Sequence, residues 1–489
     1  MMRTPLSLLA ATAVVLAPAA AAQTGRALNP RDVATAQRQH AELVAEFGGA
    51  ETGARGAYVE SVGRRVAAFS GITNPAGVFR FTALNSAVEN AFADPGGYVY
   101  ITRQLMTVMN DEAELAFVLG HETAHIAAMH GRARQSAATR NTIGGILGAI
   151  VGSVLGGGFG SAIAQLSQQA AQLYTLSFSR EQEYQADVLG IRYMTSAGYD
   201  PGGAADMLAA LTRSSAIQAR VQGRTNRQVP EWASTHPLSE NRTQQARAEA
   251  QRTGRLGTGV RNRDQFLAQL NGVYVDDDPA QGIIEGRTFT HPDLMMQFAV
   301  PVGYLMQNST RAVGIRGSAG QAQFSGGRFG GSIEQYIHQV LQQLTGGRVQ
   351  MAVPPPRRTV INGMPAAFTT ARANTSSGAV DVSVVAYEWD RDTKYHFVML
   401  TQAGTGVGPF TPMVNSLRRI TPAESAAIRP RVIQIVSVGP NDTMHSLAGR
   451  MAYRDFQLDR FLALNNLPPN ARLVPGQRVK LVVFGHRRA

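Results

Sequence analysis

Apolar residues near the start of the chain recur first with helical spacing and then with the alternation of strands. Between residues 29 and 70 they return every three or four positions, which predicts one or two helices. Residues 79–84 and 98–102 are typical of β-strands, and the Asp-Pro-Gly-Gly turn at 94–97 lies between them. The pattern therefore predicts a small sheet beside the helices.

The next apolar segment predicts a long helix that runs from Asp111 to His130. Asp111 and Glu114 resemble a capping box at its start, and Gly131 is expected to cap its end. The sequence stays rich in helical pattern to about residue 250, and Ser179 with Gln182 predicts the start of a second helix within this region.

Short β-type runs replace the helical pattern between residues 271 and 421. One helix is expected at 332–344, and the glycine-rich residues 314–331 are expected to be a connecting loop. The predicted strands are 296–302, 360–366, 380–387 and 395–400. We therefore predict an α+β multidomain protein, with a mainly helical domain over 23–265, an antiparallel α+β domain over 266–425 and a small domain over 426–489.

The first 22 residues have the features of a cleaved export signal. Arg3 supplies a positive start, residues 6–16 form a short apolar core, and three alanines at 20–22 precede Gln23. The apolar core is too short to span the roughly 30 Å of a bilayer interior. We therefore expect a mature protein that begins near Gln23 and works in the periplasm.

The composition narrows the chemistry of any site. The 489 residues include no cysteine, which excludes disulfides, iron–sulfur clusters, zinc fingers and cysteine nucleophiles. A transition metal must therefore be bound by His, Asp and Glu side chains. The formal net charge of +12 favours attraction to anionic surfaces, but without a dense basic run we do not expect nucleic acid as a partner.

Residues 142–166 carry no charged side chain and are rich in glycine. We expect a helical hairpin over the active site here, with contact to a membrane surface as the alternative and a true membrane span as the third reading.

The residues His121-Glu122-Thr123-Ala124-His125 carry the sharpest chemical signal in the chain. Residues four apart lie on one face of a helix, so the two imidazoles can bind one ion while Glu122 reaches a water molecule beside it. This arrangement predicts one zinc ion per chain with a general base attached.

A hydrolytic zinc site needs three protein ligands and one open position. Glu183 and Asp187 share one face of the predicted second helix, so one carboxylate can bind the metal while the other accepts a hydrogen bond from a ligand histidine. By spacing alone Glu181 is a rival. His130 lies five residues after His125, which turns it away from the metal, and we expect it to support the site.

Three further motifs carry a resemblance to metallopeptidase family forty-eight. They are Asn90-Ala91-Phe92 followed by Pro95-Gly96-Gly97, the segment from Glu114 to Gly120 before the zinc motif, and residues 183–187. The resemblance covers roughly residues 30–250 and implies a zincin-type fold. It also implies that His121, His125 and Glu183 bind zinc, that Glu122 is the base, and that Asp187 supports a ligand.

Ser234-Thr235-His236-Pro237 with Arg242 resembles a further element of that family, a His-Pro loop near the cleft. Two roles for His236 remain open. It can stabilise the oxyanion of the reaction, or it can occupy the open metal position and hold the enzyme latent.

The last 60 residues resemble a LysM domain, a small fold that binds N-acetylglucosamine in peptidoglycan. The resemblance rests on residues 436–444, 464–467 and 473–479, although Pro440-Asn441 interrupts the usual Gly-Asp-Thr. Peptidoglycan is therefore an expected partner of residues 426–489.

These features together predict an exported zinc endopeptidase that cleaves unfolded or misassembled proteins for quality control. We expect the substrate to add as a strand to the sheet edge at 97–102, because main-chain recognition tolerates many sequences. The alternative from another class is a chaperone or a cell-wall-binding scaffold with a latent protease site.

Overall fold

A computed structural model describes residues 25–131, 178–221, 236, 240–345, 352–375 and 378–487. The predicted export signal, the uncharged segment 142–166 and the residues beside His236 lie outside these ranges. Within the described ranges, every helix is too short or too polar to cross a membrane.

The helical unit comprises the described residues from 25 to 275. Two helices confirm the prediction for residues 29–70, and Asn29 begins the first by accepting a hydrogen bond from the Arg31 amide. The helices of this unit are α1 Pro30–Glu46, α2 Gly53–Ala67, α3 Pro75–Val78, α4 Arg103–Val108, α5 Glu112–Ala127, α6 Arg180–Ser196, α7 Gly202–Val221, α8 Glu240–Arg252 and α9 Arg263–Leu270.

A three-stranded sheet packs beside these helices, in the order β1, β3, β2. Strands β1 Arg80–Leu84 and β3 Tyr98–Thr102 confirm the two predicted strands, whereas the sequence pattern missed β2 Ala91–Asp94. β3 pairs with β1 in parallel and with β2 antiparallel. The expectation that residues 97–102 offer a free edge is therefore wrong, because β3 is the central strand and β2 lies at the edge.

Helix α5 is shorter than predicted at its C-terminal end. Asp111 begins it as expected, since its carboxylate accepts a hydrogen bond from the Glu114 amide at 3.0 Å. The helix ends at Ala127, and Met129 rather than Gly131 adopts the left-handed conformation that terminates it, with φ of 59°. Gly131 is thus not the cap.

The sheet unit contains the antiparallel strands between residues 283 and 419. Its seven-stranded sheet has the order β11, β12, β13, β14, β10, β9, β8, and a four-stranded sheet has the order β15, β7, β6, β5. The elements are β5 Ile283–Glu285, β6 Thr288–His291, β7 Met296–Ala299, β8 Leu305–Asn308, β9 Ala312–Gly317, β10 Gly320–Arg328, α10 Ile333–Thr345, β11 Arg357–Ile361, β12 Met364–Thr375, β13 Gly378–Glu388, β14 Thr393–Gln402, α11 Thr411–Val414, β15 Arg418–Arg419 and α12 Pro422–Ala426.

Two predictions in the sheet unit are wrong, and in both cases the role of glycine residues was misinterpreted. The predicted strand 360–366 is a hairpin, since Asn362 and Gly363 adopt left-handed conformations between β11 and β12. The predicted loop 314–331 contains most of β9 and all of β10. Glycine suits β10 at position 326, because a Cβ there would approach Tyr395 Cδ1 to 2.3 Å.

The C-terminal unit packs directly onto the helical unit. Its elements follow the order β16 Arg431–Ser437, α13 Met444–Ala448, α14 Gln457–Leu464 and β17 Arg478–Phe484. β16 also pairs with β4 Tyr274–Val275. The buried side chains of this unit, including those of Phe461 and Leu481, belong to the same hydrophobic core as those of α5 and α6. The division of the chain at 265 and 425, and peptidoglycan as a partner, stay predictions.

Lys480 joins the C-terminal unit to the segment that precedes α5. The side chain is fully buried, and its ammonium donates hydrogen bonds to the carbonyls of Thr107 at 2.6 Å and Met109 at 2.5 Å. Burial lowers the pKa of Lys480 to about 7, opposed by the charge of the buried Glu114 on α5. A buried lysine thus holds the segment before the helix that carries the zinc motif.

Replacement of this lysine is expected to loosen the helical unit. Lys480→Ala leaves two buried carbonyls without their donor and Glu114 without its nearby cation, which should lower the free energy of unfolding by about 3 kcal/mol. Hydrogen exchange of the α4 and α5 amides measures the effect. Lys394→Ala is the matched control, because this buried lysine of the sheet unit donates instead to the Arg391 carbonyl. Equal exchange rates in α5 for both variants would contradict the prediction.

Candidate metal centre

Helix α5 brings two imidazoles to one point in the core of the helical unit. His121 and His125 are 1% and 3% exposed, and their Nε2 atoms lie 3.0 Å apart. Helix α6 can approach α5 closely because glycines face each other at the crossing. A Cβ at Gly190 would lie 2.9 Å from the His121 backbone nitrogen, and one at Gly120 would lie 3.2 Å from the Gly190 carbonyl oxygen.

Helix α6 supplies a carboxylate to the same point. Ser179 and Gln182 form the predicted capping box, which fixes where the helix begins. The buried Glu183 places one oxygen 3.4 Å from His125 Nε2 and the other 3.6 Å from His121 Nε2. Glu181, the rival by spacing, has an exposed side chain and lies outside this group.

His236 completes a cluster of four candidate ligands. Its Nδ1 lies 2.9 Å from a Glu183 oxygen and 3.3 Å from His121 Nε2. One nitrogen or oxygen from each of His121, His125, Glu183 and His236 falls within 4.8 Å of all the others. All four side chains are buried, so the structure brings together the three predicted ligands and the histidine whose role was left open.

Glu122 lies beside this cluster, as its place between the two histidines requires. Its side chain is 1% exposed, and one carboxylate oxygen lies 3.5 Å from His236 Nε2. A carboxylate in this position can reach a water molecule or a peptide nitrogen at the centre of the cluster.

Asp187 and Arg242 contact the candidate ligands His121 and Glu183 and fix their orientation. Asp187 lies 2.9 Å from His121 Nδ1, which leaves His121 Nε2 directed at the cluster. Arg242 donates two hydrogen bonds to Asp187, at 2.7 and 2.9 Å, and its third nitrogen lies 2.9 Å from Glu183. One buried guanidinium therefore balances two buried carboxylates and fixes both.

The electrostatics of the cluster favour ionised carboxylates. Burial alone would raise the pKa of Glu183, but His236, His125 and His121 bring that pKa below its ordinary value. Burial likewise opposes the lowered pKa of Asp187, which results chiefly from the charge of Arg242. For His125 burial dominates and holds its pKa well below the ordinary value, so its imidazole is neutral.

This donor set fits zinc. Neutral imidazole nitrogens and one carboxylate oxygen are the ligands of hydrolytic zinc sites, and no thiolate is needed. The group is buried, converges on one point and has a supporting shell that fixes the histidine tautomers, as a metal site requires. The residues present therefore match the cofactor that the sequence predicted.

Two neighbours of His125 support its ring from outside the cluster. His130 Nδ1 lies 2.9 Å from His125 Nδ1, and its other nitrogen lies 3.0 Å from a Gln185 oxygen, in keeping with the supporting role expected for it. Phe178 stacks on His125 with ring centroids 3.8 Å apart and 22° between the planes. Sequence reasoning missed Phe178, since its only signal was an apolar residue next to a helix cap.

Comparisons with known proteins agree with this geometry. The chain is 32% identical over 227 residues to "Beta-barrel assembly-enhancing protease" of Yersinia pestis, a match that covers 45% of this chain and 44% of the relative. The same-named protein of Shigella flexneri is 29% identical, over 40% of this chain and 38% of the relative. "Mitochondrial metalloendopeptidase OMA1" of Schizosaccharomyces pombe is 29% identical, over 38% and 50%.

The matches cover half or less of the length of each of these relatives. A comparison with protein families matches residues 53–250 to peptidase family M48, and this range contains every residue of the cluster. Residues 53–250 of this chain are therefore similar to peptidase family M48.

Proposed function

We propose that the chain is an exported zinc endopeptidase that hydrolyses peptide bonds in unfolded or misassembled envelope proteins. The observation that carries the proposal is the buried cluster of His121, His125 and Glu183 with Glu122 beside it, inside a region that matches a peptidase family. When bound, zinc lowers the pKa of a water ligand towards about 7 and polarises a carbonyl.

Different side chains of the site have different roles in the proposed reaction. His121 and His125 would hold the metal through Nε2 and Glu183 would hold it through its carboxylate, while Asp187 and Arg242 keep His121 and Glu183 in place. Glu122 accepts the proton of the attacking water and later delivers it to the amine that leaves. Burial of the cluster excludes bulk water and strengthens these interactions.

Strand β2 is the proposed binding edge for the substrate backbone. Thr102 donates its amide to the Asn90 carbonyl, so the antiparallel alternation directs the amide and carbonyl of the partly exposed Ala93 away from β3. An extended peptide can pair with that outer edge through main-chain hydrogen bonds. Such recognition selects for an unfolded segment more than for a sequence.

Envelope proteins are the proposed substrates for two reasons. The first 22 residues have the pattern of an export signal, which supports a location in the periplasm. Two of the relatives described above are named for the assembly of β-barrels.

Cleavage of casein by the zinc-loaded protein, with loss of cleavage in the Glu122→Gln variant, tests the enzyme assignment.

A latent enzyme is a second candidate, and the position of His236 favours it. His236 Nδ1 is as close to the other candidate ligands as they are to one another. We propose that it is a fourth ligand in this state of the protein and must leave before a substrate can bind. A chaperone or scaffold with a closed protease site would retain this arrangement permanently.

Removal of this histidine distinguishes the two roles left open by the sequence. His236→Ala is expected to raise kcat/KM for an unfolded substrate, by about tenfold, because the substrate then competes with no protein ligand for the fourth position. Kinetics on casein-derived peptides with equal zinc loading measure the change. A fall of about 10²-fold or more would contradict latency and assign His236 to oxyanion stabilisation.

A further inference from the structure

A cavity of about 340 Å³ opens beside the metal centre, on the side of His125. Most of its walls come from three separate parts of the helical unit. They are the end of α5, the start of α1 with the residues before it, and β2 with the turn that follows it, represented by Ile126, Met129, Leu28, Pro30, Ala93 and Pro95.

The candidate metal ligand His125 lines the cavity. The ring of His125 lines it while His125 Nε2 lies in the cluster, so a single side chain separates the cavity from the reaction centre. Phe178 lines it as well, with its ring stacked on His125 and its centroid 5.5 Å from that of His236. Ala93, on the edge strand proposed to bind the substrate backbone, also lines the cavity.

Met129 is in an unfavourable backbone conformation at this cavity. Its φ of 59° is one that side-chain-bearing residues rarely adopt, and helices that end in this way usually place glycine there. The side chain is also 39% exposed, so burial in the core does not explain why a large apolar residue occupies the position. Strain retained at a cleft is typical of a functional constraint.

Hydrogen bonds hold the residues before α1 in place at the cavity. Arg26 exchanges backbone hydrogen bonds with Gly71 and Thr73, both at 3.0 Å, and its guanidinium donates to the Ala127 carbonyl at the end of α5. Arg26 and Asp32 bring opposite charges to the lining, which is otherwise mainly apolar. Such a lining suits an uncharged apolar side chain.

We propose that this cavity binds a large apolar side chain of the substrate, next to the bond that is cleaved, and that Met129 determines this specificity. The inference rests on the proposed endopeptidase function and names the side chains that this site prefers. Leucine, methionine or phenylalanine fits the cavity, whereas a lysine or aspartate would lose its hydration against apolar walls.

A charge placed at position 129 tests the assignment. The zinc-loaded full-length protein is assayed on peptides that differ only in one residue flanking the cleaved bond, with Leu, Phe, Lys or Asp on either side. We expect the wild type to prefer Leu and Phe over Lys by about tenfold or more in kcat/KM. Met129→Glu should reverse that preference. The introduced carboxylate attracts a lysine side chain, and it would lose its own hydration if a leucine side chain packed against it.

Leu256→Glu is the matched control. Leu256 is 43% exposed, similar to Met129, but lies outside the cavity, so this variant should keep the wild-type preference. Met129→Gly removes the side chain and relieves the backbone, so its melting temperature should not fall while its preference for leucine does. A merely structural role predicts the opposite, a lower melting temperature and an equal loss on every peptide.

Peptide binding gives a readout that needs no turnover. Kd values of the Leu and Lys peptides for the Glu122→Gln protein, with and without Met129→Glu, should show the same reversal. If the wild type cleaves the peptides and Met129→Glu leaves the Leu-to-Lys ratio unchanged, the cavity assignment fails alone. If neither the wild type nor the His236→Ala protein cleaves any peptide, the proposed function fails and this inference fails with it.

Discussion

The Glu122→Gln protein is expected to bind zinc as the wild type does and to lose peptide hydrolysis by about 10³-fold. The amide has the same size as the carboxylate, so the buried contacts around His236 Nε2 can persist. It cannot take the proton from the attacking water, which removes the base from the reaction. Zinc content by elemental analysis and turnover of fluorescent casein measure the two quantities in one preparation.

Glu181→Gln is the control for this experiment, because it makes the same chemical change at an exposed carboxylate outside the cluster. It should retain both zinc and turnover. If Glu122→Gln keeps activity within about twofold of the wild type, Glu122 is not the base and the enzyme assignment fails as drawn. Substrates that accumulate on the inactive variant in the exporting cell identify what the enzyme cleaves.

Local spacing was enough to predict the parts of the site that lie within single helices. Two histidines four residues apart must share a helix face, and the capping box at Ser179 fixed the start of the helix that carries Glu183. Spacing left Glu181 and Glu183 as alternatives, and burial in the folded chain separates them, since only Glu183 faces the histidines.

Contacts between distant residues were beyond the sequence pattern. β2 is four residues long, and its identity depends on pairing with β3, so the pattern placed the binding edge on the wrong strand. Lys480 meets the carbonyl of Thr107, 373 residues away, and no periodicity reports such a contact. The left-handed backbone of Met129 could not be predicted for a different reason. Left-handed helix ends are predicted from glycine, and this position is a methionine.

The supporting shell places a buried cation against two carboxylates of the site. Arg242 is 5% exposed and contacts Asp187 and Glu183 together, so removal of either carboxylate leaves part of a buried cation uncompensated. The same guanidinium therefore connects the affinity for the metal with the stability of the packing between α6 and α8, which carries Arg242.

Glu183→Ala is expected to lower zinc affinity by at least about 100-fold and to abolish peptide hydrolysis. The variant loses a ligand, and it also leaves the Arg242 guanidinium, now 2.9 Å from Glu183, facing the site with one partner fewer, which disfavours a second cation. Competition with a chelating dye measures the affinity. Asp187→Asn should be milder, about 10- to 100-fold, because it removes no metal ligand and acts through the orientation of His121 and the pairing of Arg242.

Glu181→Ala again supplies the comparison, since it removes a carboxylate two residues earlier on α6 without touching the cluster. Wild-type zinc affinity in this variant, together with its loss in Glu183→Ala, is the expected pair of results. The reverse pair would mean that α6 presents its other face to the histidines, and the assignment of Glu183, Asp187 and Arg242 would then be lost together. A zinc ion retained by both variants would instead assign the third ligand to His236, whose Nδ1 is the remaining candidate within reach among the described residues.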